Sequence, residues 1–201
     1  TKADLALVLS KVPANAAAIY TTNLVKGAPL LVTKAHLANG KAQAVICNSG
    51  NANTCNADGT EIAEKMSQLA ADQLGIAADD VVVASTGVIG QRLNVEPIAA
   101  GLPQLAAGLS VEGADAAAKA IMTTDTIDKQ VAVEFELGGK VCRMGGMAKG
   151  SGMIHPNMAT MLVFLTCDAA IAPHMLKKAL ADNVQDTFNM ISVDGDTSTN
   201  D

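Results

Sequence analysis

A chain that is 49% apolar yet carries only three Phe, one Tyr and no Trp must build its interior from Ala, Val, Ile, Leu and its nine Met. Charged residues make up 17% of the 201 positions, which excludes a disordered or low-complexity protein. The length suits one large domain or two small ones, with a sizeable core. So few aromatic rings rule out a stacking platform for single-stranded nucleic acid. Fourteen basic against twenty acidic side chains leave a net charge of −6. No basic stripe interrupts that balance, so a phosphate backbone is not expected as a partner.

Cys47, Cys55, Cys142 and Cys167 form no CxxC pair and share no spacing with histidine. They are expected to be buried thiols of a reducing compartment rather than a disulfide scaffold or a zinc site. The first residues lack the charged-then-apolar pattern of a signal peptide, and no run approaches the ~18 apolar residues of a membrane helix. A soluble, cytoplasmic protein is expected, with no membrane partner.

Short apolar runs alternate with helical patterns. Leu5–Leu9, Ala16–Tyr20 and Ala44–Cys47 read as strands. Asp58 or Thr60 can cap a helix carrying Ile62, Met66, Leu69 and Ala70 on one face, with Gly75 as its stop. The run Val81–Ala84 predicts a strand buried on both faces. Two Ala-rich helices follow, over Ile98–Leu109 (interrupted by Pro103) and Ala114–Met122, the second being the better former. Alternation of Val131, Val133, Phe135 and Leu137 predicts a half-buried strand. Gly138-Gly139 then turns the chain into a strand over Val141–Met144 and a Gly/Met-rich loop. Met161–Thr166 is a further strand, and a helix begins at Pro173 with Leu176, Ala179, Leu180, Val184 and Phe188 on one face. No linker or repeat divides the chain. The expected architecture is α/β or mixed α+β, with mixed sheets flanked by helices. The last residues, Asp194 to Asp201, follow an apparent strand and look like mid-loop, so more of the protein is expected elsewhere.

Gly145–Ser151 carries a Lys but not the GK[ST] ending of a phosphate loop, and Gly87-Val88-Ile89-Gly90 lacks a dinucleotide fingerprint. Asp194, Asp196 and Ser198 imitate the start of a calcium loop, but Thr199 stands where Gly is needed. His36, His155 and His174 are scattered, so structural roles are expected, no metal site is assigned, and no Ser-His-Asp grouping is visible. The stretch from Met147 to Leu162 is different. A single Lys149 between small residues, and the Thr160 hydroxyl at the mouth of a strand, exceed what a plain loop needs.

KGSGMIHPNMATML, Lys149 to Leu162, resembles the self-cleavage region of the ornithine acetyltransferase (glutamate N-acetyltransferase) family of arginine biosynthesis. Tyr20–Asn23, Asn48–Asn53, Ala84–Gly90, Met122–Thr126 and Ser192–Asp201 also look like motifs of that family, in family order. The resemblance covers all 201 residues as a portion of one domain, roughly the N-terminal half of a member. Residues 1–159 would be an α chain and 160–201 the start of a β chain. Thr126–Lys129, Asn53–Asn56 and Phe164–Asp168 depart from the usual pattern without touching the residues below.

The resemblance implies self-cleavage between Ala159 and Thr160 and a fold similar to self-cleaving aminopeptidase relatives. Thr160, freed at a new N-terminus, would be the nucleophile, with its own amine as base. It would carry acetyl from N-acetylornithine to glutamate by a ping-pong route. By resemblance Thr86 (hydroxyl) and Gly87 (backbone N–H) form the oxyanion hole, and Thr123, Lys149 and Thr160 contact substrate. A tight turn at Thr86-Gly87 is the plainer reading. No cofactor is implied, and acetyl-CoA stays open as a co-substrate. The implied partners are the remaining C-terminal half and a heterotetramer of two α and two β chains. An amidohydrolase or aminopeptidase that passes the acyl group to water, and an inactive assembly subunit, remain as alternatives.

Overall fold

The computed structural model describes residues 2–155 and 161–200. Two three-stranded sheets and five helices make up these residues, a mixed α/β fold as expected. In the first sheet, β1 (Leu5–Asn15) lies antiparallel to β2 (Lys41–Asn48), and β2 is parallel to β3 (Val81–Ser85). Helix α1 (Ala28–His36) connects β1 to β2, and α2 (Gly59–Leu74) makes the crossover from β2 to β3. Helices α3 (Glu96–Ala107) and α4 (Ala114–Ala120) follow. The second sheet is an antiparallel meander of β4 (Lys129–Leu137), β5 (Lys140–Lys149) and β6 (Leu162–Cys167), followed by α5 (Pro173–Val184).

Period-two alternation sorts the first sheet's residues onto two faces. Leu7, Ile46 and Val83 lie in one cross-strand row. They pack with Val32 of α1, with Ile62, Met66 and Ala70 of α2, and with Ile98 and Leu102 of α3. The neighbouring row, Ala6, Cys47 and Ala84, faces the other way and packs with Ala120, Ile121 and Leu162. Small side chains in that row let α4 and the start of β6 sit close against the sheet. The largest fully buried side chains are aliphatic or Met, as the shortage of rings requires.

Helix α2 keeps the predicted face, and Gly75 ends it in the left-handed region (φ 70°). Asp58 occupies its N-cap, but the carboxylate bonds Arg92 Nε at 2.5 Å instead of capping. The Gly138-Gly139 turn is confirmed, both glycines having positive φ between Leu137 and Lys140. Helix α5 begins at Pro173 and buries Val184.

Several expectations change. β1 extends to Asn15 through Pro13, which an edge strand tolerates, and 16–20 is irregular. The longer Ala-rich helix is α3, with Pro103 inside it, while α4 has only 7 residues. β5 runs through Gly145-Gly146-Met147, because β4 and β6 bond it on both sides and compensate for the weak strand preference of glycine. β4 is not half-buried: Val131 is 60% exposed, Val133 49% and Leu137 49%. Cys47 and Cys142 are buried, but Cys55 and Cys167 are exposed. Residues 191–200 form no strand. Among the described residues no helix is long and apolar enough to cross a membrane.

Candidate active site

β2 and β3 are parallel neighbours, so their carboxyl ends open on the same side, where ligands commonly bind in open α/β sheets. β2 ends at Asn48, paired with Ser85 at the end of β3. Just beyond, Thr86 N–H donates to Asn48 O at 2.9 Å, which holds the Thr86 backbone beside the start of the Asn48–Asn53 loop. That loop holds itself in shape with asparagine side chains. Asn48 Oδ1 accepts from Gly50 N–H (2.9 Å), Asn48 Nδ2 donates to Asn51 O (2.7 Å), and Asn51 Oδ1 accepts from Asn53 N–H (2.7 Å). Asn53 takes φ +51°, a conformation asparagine tolerates.

Gly87 has φ +121°, and a Cβ there would lie 2.7 Å from the carbonyl carbon and oxygen of Gly50. Only glycine lets the two turns approach this closely, so the close-packed turn that sequence reasoning offered as the plainer alternative is present. It is compatible with an N–H held for a developing oxyanion.

Lys149, the last residue of β5, is 2% exposed, and its Nζ donates to Thr86 Oγ1 at 3.4 Å. An ammonium can only donate, so Thr86 Oγ1 is the acceptor and its own O–H proton can be donated elsewhere. Lys149 also bears on Cys47: burial pushes this thiol up to about 12, against the pull of the nearby ammonium. Cys47 is thus a neutral core thiol beside Lys149. Its neighbour across the loop, Ser49, donates from Oγ to Ala120 O at 2.5 Å and ties the loop to α4.

Thr123 joins the group through Asp125. The Asp125 side chain is fully buried, and its carboxylate accepts from Gly150 N–H (2.7 Å), Thr123 N–H (3.2 Å) and Lys129 Nζ (2.6 Å). Burial opposes its charge. The Lys129 hydrogen bond and the two backbone N–H groups outweigh burial and hold the carboxyl below its usual range. One residue further on, the Thr124 and Ser151 hydroxyls are 2.7 Å apart.

Asn200 closes the far side. It is 5% exposed, with Nδ2 donating to Ala52 O (2.5 Å) and Ser85 O (2.9 Å). Its Oδ1 accepts from the Thr54 hydroxyl (2.5 Å) and the Thr199 hydroxyl (2.7 Å). Thr21 Oγ1 donates to Ser198 O (2.8 Å), and Gly27 N–H to Thr199 O (2.7 Å). Residues 198–200 are thereby fastened to the end of β3 and to the loops that follow β1 and β2.

Of the site residues read from the sequence, Thr86, Gly87 and Lys149 come together, and Thr123 is linked to Lys149's neighbour Gly150 by Asp125. Ala159 and Thr160 lie outside the described residues. Asp125 and Asn200 were missed as positioning groups. Both stand in polar motifs, but their partners are distant in the chain, so no local pattern marks them. Among the described residues no group of three or more His, Cys, Asp or Glu could hold a metal ion. His36 is buried, with Nδ1 2.9 Å from Val81 O and Nε2 3.4 Å from Glu64, a structural role.

The mixed α/β fold thus brings a threonine hydroxyl, a glycine backbone and a buried ammonium together beside the ends of the parallel strands. The chain belongs to the ArgJ family, whose family model matches residues 1–201. It is 54% identical, over its whole length, to an arginine biosynthesis bifunctional protein ArgJ of Symbiobacterium thermophilum, and covers 50% of that relative. It is 51% identical over 98% of its length to the ArgJ protein of Thermosynechococcus vestitus, covering 48% of it. The chain thus spans about half the length of the curated relatives it matches. A crystal structure of ArgJ from Bacillus halodurans superposes with a TM-score of 0.73 at 43% identity, over 81% of this chain and 84% of that one. Ornithine acetyltransferase of Mycobacterium tuberculosis, solved in complex with ornithine, superposes with a TM-score of 0.67 at 37% identity, over 79% of this chain and 84% of that one.

Proposed function

We propose that this chain is roughly the first half of a self-cleaving acetyltransferase of arginine biosynthesis, acting in the cytoplasm on N-acetylornithine and glutamate. The Thr160 hydroxyl attacks the Ala159 carbonyl, an N→O acyl shift gives an ester, and water hydrolyses it. The freed Thr160 amine, with an ordinary pKa near ~7.7–8.0, then serves as base for its own hydroxyl. Thr160 Oγ takes acetyl from N-acetylornithine, ornithine leaves, and the glutamate amine attacks the acetyl-enzyme. Each half-reaction passes through a tetrahedral oxyanion, for which Thr86 O–H and Gly87 N–H are the donors. Lys149 and Thr123 contact substrate, and the Lys149 ammonium suits the carboxylate that both substrates carry.

The observation that carries this reading is the Lys149 Nζ–Thr86 Oγ1 contact at the head of the β5–β6 ladder. Leu162, two residues beyond Thr160, pairs with Lys149. The strand that begins after the nucleophile is therefore in register with the residue that touches the proposed oxyanion donor. The remaining C-terminal half would complete the β chain, and two α with two β chains would form the working enzyme.

The intact mass of the full-length gene product, beside a Thr160→Ala control, tests the reading. Wild type should appear as two pieces broken at Ala159-Thr160, and the control as one. The processed enzyme should then transfer acetyl from N-acetylornithine to glutamate with parallel-line initial-rate plots. An uncut wild type would support an inactive subunit, and acetate release without glutamate a hydrolase. Acetyl transfer from acetyl-CoA, the second activity in this reading, is checked by the same assay with that donor. Native mass checks the heterotetramer.

A further inference from the structure

The carboxylate of Asp194 accepts two consecutive backbone N–H groups from upstream of the proposed junction, Met153 at 2.6 Å and Ile154 at 2.8 Å. Val193 N–H adds a bond to Ile154 O at 2.8 Å, and Ser192 Oγ another to the same oxygen at 3.5 Å. Met153 has φ +57°, an uncommon conformation for a side chain of this kind, and one that turns successive N–H groups toward a common acceptor. The two N–H groups also hold the Asp194 carboxyl below its usual range.

We infer that Asp194 is a positioning residue for self-cleavage: from the downstream side it pins the backbone that leads into Ala159-Thr160. This rests on the self-cleavage reading above. The connection from β5 to β6 is residues 150–161, and its two ends are fixed by the Lys149–Leu162 pair. A pin at 153 and 154 leaves only 155–161 between itself and β6. An N→O shift is intramolecular, and its rate depends on how often hydroxyl and carbonyl meet in the reactive geometry. Thr160 Oγ and the Ala159 carbonyl belong to adjacent residues, so a pin upstream and a strand downstream act through the orientation of that peptide and not through the distance between the groups. Once the bond is cut, the same contacts join the two chains.

The test follows the cleavage of full-length precursor made by cell-free synthesis, comparing wild type with Asp194→Asn and Asp194→Glu. Folding is read separately, as the Tm of Thr160→Ala precursors with and without Asp194→Asn. Cleavage should slow by about 10–100-fold in Asp194→Asn, recover in part in Asp194→Glu, and leave the Tm of the uncut precursor close to its control. An Asp194→Asn precursor that cuts at the wild-type rate would overturn the inference. So would slowing matched by a large fall in Tm, which would mark a general structural role. A wild type that fails to cut would instead overturn the self-cleavage reading, and this inference with it.

Discussion

Lys149 and Thr86, 63 residues apart in the chain, meet as buried side chains with Nζ 3.4 Å from Oγ1. The contact joins the end of the second sheet to the end of the first. It also orients a hydroxyl, because the ammonium occupies the oxygen as a donor and leaves the hydroxyl proton for another acceptor.

Removing that hydroxyl should cost catalysis and little else. In the processed full-length enzyme, Thr86→Ala is expected to lower kcat by about 10²–10³, with Tm close to wild type. Thr86→Ser should keep most of the activity. Steady-state rates with N-acetylornithine and glutamate check both variants.

Gly87→Ala should damage the fold as well as the site. Its φ of +121° and the 2.7 Å approach of a Cβ to the Gly50 backbone leave no room for a methyl group without moving a turn. A loss of about 1–3 kcal/mol is expected, and at this size each kcal/mol shifts Tm by roughly 2–4 °C. A calorimetric melt measures it.

Asp125 supplies a pH dependence. Its folded pKa lies below the unfolded carboxylate value of about 3.9. The stability it contributes is therefore complete above that value and drains away as pH falls through the folded one. Asp125→Asn should cost about 1–3 kcal/mol at pH 7. Its Tm deficit against wild type should narrow as the pH is taken below about 4. Activity should fall too, because the same carboxylate holds the Thr123 and Gly150 backbones.

Asn200 is a latch. Asn200→Ala removes both amide donors and the acceptor of two hydroxyls; Ser85 O loses a donor, and Ala52 O and Thr54 Oγ1 keep only their long 3.3 Å bond to each other. A loss of about 2–4 kcal/mol is expected, several partly unsatisfied groups contributing. Gly27→Ala should act on the same latch, since a Cβ there falls 2.6 Å from the Asn200 amide. Urea melts of the two single variants and the double variant should show strongly non-additive losses.

Legibility was uneven and followed the range of the forces involved. Helix α2 with its Gly75 stop, the buried strand β3 and the Gly138-Gly139 turn all depend on residues within a few positions of one another. The sequence declares them. β5 was cut short at Gly145 because glycine disfavours a lone strand, and its two flanking strands override that. β4 alternates as a half-covered strand should, yet alternation shows only that two faces differ, not that either is covered. Asp125 and Asn200 were invisible as positioning groups because a buried polar side chain is defined by its partners, and theirs come from elsewhere in the chain.

By itself, then, the sequence determined a core that is aliphatic with almost no rings, the order of most elements, the family, and the residue types available for chemistry. Those follow from composition, short-range periodicity and motif order. Only the tertiary structure decided that Thr86, Lys149 and Asp125 share one buried neighbourhood, and that Asp194 reaches back across the proposed junction. Such meetings depend on how two sheets pack across the small-residue row Ala6, Cys47 and Ala84, and packing is settled by all the elements together.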